Sequence, residues 1–180
     1  MQLIVNGTRI RLRPYRDYAE YEAWELLTAR EGDPYWGPYP EPGIRDRREF
    51  AGSGLLSDEY GCFAVEQLAT GRHIGNEYYS SHDGFMWSAV IGTRIHPELR
   101  GQGYGVEAKR LVIGWLFGNY PIRHVCAETM DDHHVARRGL ELCGMQLYGI
   151  KPCEEFSRGE WHGAVYYGIS REQWQRGAGI

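Results

Sequence analysis

Arg94-Ile95-His96-Pro97-Glu98-Leu99-Arg100-Gly101-Gln102-Gly103-Tyr104-Gly105-Val106-Glu107-Ala108 is the stretch on which the reading of this chain turns. A strand stops at Pro97, three glycines follow at alternating positions, and a helix opens at Tyr104. Glycine tolerates positive φ and puts no Cβ in the way, so backbone N–H groups can converge on one point. The first turn of a helix adds unpaired donors and a partial positive charge. Together these make a cradle for a phosphate or pyrophosphate, and Arg100 is placed to add a direct charge. A bare sharp turn would use the same glycines; the neighbouring arginine and the well-marked helix favour the anion.

Working outward, the helix shows apolar or small residues at Tyr104, Ala108, Leu111, Val112, Trp115 and Leu116, with Glu107, Lys109 and Arg110 on the outside, and ends near Gly118-Asn119. Three strand-like runs precede it, Cys62 to Glu66, His73 to Tyr79 and Phe85 to Ile95, separated by turn residues as in an antiparallel meander. Before them come a strand from Thr8 to Arg13, a helix from Tyr18 to about Ala29 capped by Asp17 with a stripe of Tyr18, Tyr21, Leu26 and Leu27, and a short helix from Arg45 to Leu56. After it come a strand from Val125 to Thr129, a helix capped by Asp131 or Asp132 and stopped by Gly144, and strands Met145 to Ile150 and Trp161 to Ile169. This order predicts one α+β sheet with helices on its faces, in a single domain over residues 1–180.

Composition bounds the partners. The chain has 180 residues, 42% hydrophobic and 24% charged, and a formal net charge of −4. That balance excludes a sequence-independent nucleic-acid binder, which needs a basic face. No apolar run is long enough for a membrane span and the first residues do not resemble a signal peptide. Cys62, Cys126, Cys143 and Cys153 form no Cys-x-x-Cys pair, which points to a reduced, cytoplasmic setting. Gly103-x-Gly105-x-x-Ala108 also matches a dinucleotide fingerprint, with Glu128 about 20 residues on. Residues 96–102 intervene before it, however, and antiparallel-looking strands come first, so a nicotinamide enzyme is disfavoured.

The chain resembles the GNAT superfamily of acetyl-CoA-dependent N-acetyltransferases. Arg100-Gly101-Gln102-Gly103-Tyr104-Gly105 matches the family's (Arg/Gln)-x-x-Gly-x-(Gly/Ala) pattern. Ile91-Gly92, His96-Pro97-Glu98, Ile10-Arg11-Leu12-Arg13, Gly75, Glu141-Leu142-Cys143-Gly144-Met145 and Gly159-Glu160-Trp161 are similar to the branch that acetylates ribosomal-protein N-termini. The resemblance implies a mixed, mostly antiparallel sheet whose strands splay near Ile95. It implies that amides of the loop Gly101, Gln102, Gly103, Tyr104 and Gly105 receive the CoA pyrophosphate, and that the strand end at Ile95 pairs with the pantetheine arm. The amine would attack the thioester directly, with no metal, through an oxyanion held by a backbone N–H. Three positions depart from the pattern: His133 stands where relatives have Asn, Leu140 where many have the tyrosine that protonates the thiolate, and Val90 where many have Glu. His133 is placed to replace the Asn contact to pantetheine.

Among candidate catalytic groups, Glu77 leads as general base, being the only carboxylate in the run His73 to Tyr79, where burial would raise its pKa. A solvent-facing strand residue is the rival reading. Tyr148 is a candidate acid or acceptor ligand, with a half-buried sheet aromatic as its rival. The proline-rich loop over 32–43 holds Tyr35, Trp36 and Tyr39, which with Tyr78, Tyr79, Trp87 and Trp161 would shape an acceptor site or equally a core or dimer contact. Asp131-Asp132-His133-His134 reads as helix capping with exposed histidines rather than a metal site. Arg137 or Arg138 is placed to meet an adenosine phosphate. The predicted activity is acetyl transfer to a primary amine on a protein N-terminus, a polyamine, an aminoglycoside-like drug or another small amine. A non-catalytic acyl-CoA-binding module stands as the alternative, and a homodimer is allowed.

Overall fold

The computed structural model describes residues 3–31, 35, 42–81 and 87–177. Strands β1 (Val5–Asn6) and β2 (Ile10–Arg13) form a hairpin, followed by helices α1 (Tyr18–Glu31) and α2 (Ile44–Ser53). The meander follows as β3 (Tyr60–Gln67), β4 (His73–Ser80) and β5 (Ser88–Ile95). A 3-10 turn, Pro97–Leu99, leads into α3 (Tyr104–Asn119), then β6 (His124–Met130), α4 (His134–Leu142), β7 (Gln146–Ser157), β8 (Glu160–Ser170) and α5 (Arg171–Gly177). The eight strands lie in one sheet in the order β1-β2-β3-β4-β5-β6-β8-β7. All pairs are antiparallel except β5 with β6. β5, α3 and β6 make a single parallel βαβ unit inside an otherwise antiparallel sheet, not the run of parallel strands that a dinucleotide-binding fold needs, so the nicotinamide reading falls on topology.

Strand alternation divides the side chains between two faces. Phe63, Val65, Tyr79, Ile91 and Ile95 pack with Ala108, Val112, Trp115 and Leu116 of α3. Cys62 and Ala64 pack on the other face with Tyr15 and Leu55, backed by Tyr21, Phe50 and Tyr78. Asp17 caps α1 as expected, its Oδ1 accepting the Glu20 N–H at 2.8 Å. The buried side of α1 is set by Trp24 and Thr28 rather than by Leu26 and Leu27, which are half-buried. Neither Asp131 nor Asp132 caps α4; its N-cap is His133, without a side-chain cap, and Asp132 instead pairs with Arg158 at 2.6 Å. β7 runs on to Ser157, well past the expected end at Ile150, because the pairing with β8 resumes after a register shift between Lys151 and Glu155.

Candidate functional site

The site begins as a fork in the sheet. β5 and β6 pair only over Ser88–Val90 with His124–Cys126. β4 still holds β5 as far as Ile95, and β8 holds β6 as far as Met130. From Ile91 and Ala127 onward the two strands therefore part, and among the described residues each pairs with a strand on its outer edge only. The fork opens toward the glycine loop, and a cleft of about 500 Å³ there is lined by Thr93, Ile95, Gly103, Gly105, Lys109 and His133 among others.

The loop has the geometry of an anion cradle. Gly101 and Gly103 have φ of 73° and 85°, the left-handed region that favours glycine. Gly103 is the N-cap of α3 and offers no side-chain cap, so the first-turn amides of the helix stay available to an incoming anion. The loop is braced from the other end of the chain. Glu107 Oε1 accepts the N–H groups of Thr8 and Arg9 at 2.7 and 2.8 Å. Arg9 Nε reaches Glu107 Oε2 at 3.0 Å, its Nη1 donates to the Gln102 carbonyl at 2.9 Å, and its guanidinium lies 4.8 Å from the Tyr104 ring centroid. This brace between Arg9 and Glu107 leaves no sign in the sequence pattern. The helical stripe puts Glu107 on the outside, as in an isolated helix; here the β1–β2 turn comes over that side. Lys109, assigned to the same side, lines the cleft instead.

Beneath the cleft, Glu77 of β4 is fully buried between its cross-strand neighbours Phe63 and Thr93. Thr93 Oγ1 donates to Glu77 Oε2, while Glu77 Oε1 has no hydrogen-bond partner among the described residues. Burial pushes the Glu77 carboxyl up to about 8, against the partial opposition of Lys109 and the Thr93 hydrogen bond. The carboxyl thus lies on the α3 face, and Thr93, to which it is hydrogen-bonded, lines the cleft.

Residues 9–146 match the family model of the acetyltransferase (GNAT) domain, well over half of the chain. The chain belongs to the GNAT family. The usual cosubstrate of that family is acetyl-CoA. Among solved structures, the RimL ribosomal alpha-N-protein acetyltransferase in complex with coenzyme A superposes with a TM-score of 0.79 at 16% identity, over 93% of this chain and 97% of that one. Spermidine N-acetyltransferase from Vibrio cholerae, in complex with CoA and spermine, gives 0.79 at 18% identity over 93% and 99%. At these identities the likeness is one of fold. A curated relative, the FsC-acetyl coenzyme A-N(2)-transacetylase of Aspergillus fumigatus, is 30% identical over 92 residues, 47% of this chain and 37% of that protein. The match therefore spans little more than a third of that relative's length.

The donor set fits coenzyme A. An uncapped helix N-terminus, left-handed glycines and the cleft cations Lys109 and Arg138 suit a diphosphate, and the free inner edge of β5 suits an amide-bearing arm. Two expected contacts are otherwise engaged in this GNAT domain. Arg100 Nε donates to the Ile95 carbonyl at 2.9 Å, so Arg100 fixes the strand end. His133 bonds Thr129 Oγ1 through Nδ1 at 3.0 Å and stacks on Tyr35 with ring centroids 3.7 Å apart. That stack brings Tyr35 to the rim of the cleft, where the Arg158 guanidinium also covers its ring at 5.1 Å.

The remaining candidates scatter. Trp36 and Tyr39 lie outside the described residues. Trp87 stands before β5 at the closed end of the fork, under the Arg123 guanidinium at 4.4 Å, away from the mouth. Trp161 is exposed and packs on Phe156 in the β7–β8 hairpin. Tyr79 is a core residue against Phe63 and Trp115. Tyr148 lies across Gly168, which pairs with Cys126 at the branch, but its hydroxyl turns to His124 Nδ1 at 3.4 Å, on the closed side. Arg137 is drawn to the Asp131 carbonyl at 2.7 Å, leaving Arg138 as the arginine of that pair at the cleft.

Proposed function

We propose that this GNAT domain moves acetyl from acetyl-CoA to a primary amine by direct attack, with both molecules bound together. The observation that carries the reading is the fork, in which the inner edge of β5 is unpaired by any strand from Ile91 to Ile95, between the branch at Val90 and Cys126 and the glycine cradle, with the Ile95 carbonyl held by Arg100. Amides of Gln102, Gly103, Tyr104 and Gly105 hold the diphosphate and the β5 edge near Ile95 aligns the arm. Held together, amine and thioester react as an effectively unimolecular pair. The amine must shed a proton, and Glu77 receives it through the Thr93 hydroxyl, since the buried carboxylate itself is out of the amine's reach. The acceptor is the primary amine of a protein N-terminus or of a small polyamine, classes supported by the named activities of the structural relatives.

Calorimetric titration with CoA, followed by an amine panel of N-terminal peptides and polyamines read by mass for one added acetyl group, tests this. Gly103→Asp places a carboxylate in the cradle and strains a residue at φ 85°. It should weaken CoA binding more than about tenfold through charge repulsion at a helix N-terminus. Unchanged CoA affinity in that variant would remove the basis of the reading.

A further inference from the structure

The family's usual proton donor to the leaving sulfur is missing here, because its place is taken by Leu140, which is buried in the core and 2% exposed. The fork offers another hydroxyl. Tyr78 of β4 lies directly opposite Gly92 of β5. Its ring leans across that strand so closely that a Cβ on residue 92 would overlap its Cζ, Cε1 and hydroxyl oxygen. Any residue but glycine would displace the ring. Gly92 is the second residue past the last parallel pair, Val90 with Cys126, so the hydroxyl lies over the arm of the fork just beyond the branch. A thioester arm entering from the glycine loop along β5 would pass Ile95 and Thr93 before it reached Gly92, two residues short of the pair Val90 with Cys126 at which the fork closes. An arm whose reactive end reached Gly92 would present it to the Tyr78 hydroxyl. The base of that ring is held by the cluster of Tyr15, Leu55, Cys62 and Ala64. Glu77 lies one residue away but on the α3 face, so proton removal and proton delivery occupy opposite sides of the same strand.

We propose that Tyr78 supplies the proton to the departing sulfur, with Gly92 as the gap through which its hydroxyl reaches the fork. The inference rests on the acetyltransferase reading above. In the step, the amine nitrogen bonds to the carbonyl carbon and the C–S bond breaks with its electron pair on sulfur. The Tyr78 O–H proton passes to that sulfur, giving the free thiol of CoA. Glu77 has taken the first proton of the ammonium before attack, and the tyrosinate regains the second, which the nitrogen releases on becoming an amide.

The test needs no knowledge of the acceptor. CoA bound to wild type and to Tyr78→Phe is titrated with base, and its thiolate is followed by ultraviolet absorbance. Tyr78→Phe should bind CoA within about threefold of wild type, while its bound thiolate forms about one pH unit or more higher, having lost a hydrogen bond to the charged form. With an accepted amine, kcat should fall about tenfold or more with both KM values retained. An unmoved thiol titration in Tyr78→Phe overturns the proposal, as does the same shift in Tyr148→Phe but not in Tyr78→Phe. Should Tyr78→Phe fail to fold, 3-fluorotyrosine placed at residue 78 keeps the ring; a bound-thiol titration identical to wild type then overturns the proposal, and a downward shift supports it. Wild type that binds no CoA would instead defeat the acetyltransferase reading, and with it this one.

Discussion

At Glu77 a carboxyl is sealed between Phe63 and Thr93 with one oxygen unpartnered, and burial raises it to about 8. Two consequences follow with opposite readouts. For stability, the folded carboxyl keeps its proton while the unfolded one loses it from about 4.5 upward. This contribution is complete below the unfolded value and is lost as pH rises through about 8. Melting temperature should therefore decline between pH 5 and 8, and Glu77→Gln, which keeps the neutral shape, should flatten that decline. For catalysis, kcat should rise with pH through about 8 as Glu77 ionises, and Glu77→Gln should remove the rise. A rate rise that survives the substitution would make Glu77 a structural group only. The sequence marked Glu77 as a lone carboxylate in a neutral strand. The face it would take could not be read, because β4 is buried on both sides and strand alternation fixes only that Glu77 and Tyr78 point apart.

The glycine loop and α3 form the element the sequence described best. Helix start and glycine positions are local properties, set by φ preferences and by the end of the apolar stripe. The brace from Arg9 and Glu107 was hidden because the two residues are 98 positions apart. Glu107 holds the N–H groups of Thr8 and Arg9 and through Arg9 the Gln102 carbonyl. Burial would raise this carboxyl, but those backbone donors and Arg9 outweigh it and keep it ionised below the usual range. Glu107→Ala should loosen the cradle and raise the Kd for CoA about tenfold. It should also cost about 0.5–1.5 kcal/mol, the net worth of a typical hydrogen bond whose exposed donors water can reach. Calorimetry with CoA and urea unfolding measure the two effects separately. Equal affinity with lowered stability would limit the brace to the β1–β2 turn.

Across the whole molecule, a second charge network ties the first helix to the sheet. Glu66 of β3, 2% exposed, receives Arg11 Nε at 2.8 Å, Arg13 Nε at 2.6 Å and Arg16 Nη2 at 2.8 Å, and Arg13 also holds Glu20 at 2.6 Å. Burial would raise Glu20, but the Arg13 hydrogen bonds and the Arg16 amide prevail and hold it at about 2; Glu66 is lowered by the same kind of contacts. Both groups contribute stability that is present above the unfolded value of 4.5 and lost as pH falls toward 2. Glu66→Ala would leave Arg13 buried beside an empty position and should cost about 3–5 kcal/mol. It should also blunt the fall in melting temperature below pH 4.5; an acid profile identical to wild type would show that other carboxylates govern acid unfolding.

The sequence by itself determined the order of the elements from β2 to β8, though not β1 or α5, the phosphate-type turn at 100–105 and, through its motifs, the GNAT family. These depend on periodicity, glycine conformation and spacing, all of which are carried by neighbours along the chain. The tertiary structure alone decided where β5 leaves β6, that Tyr78 rather than Tyr148 stands over the open arm, and that Tyr79 and Leu140 belong to the core. Each of those follows from cross-strand register and from which face a neighbouring element covers. A one-residue change in register exchanges every such assignment without altering the local pattern.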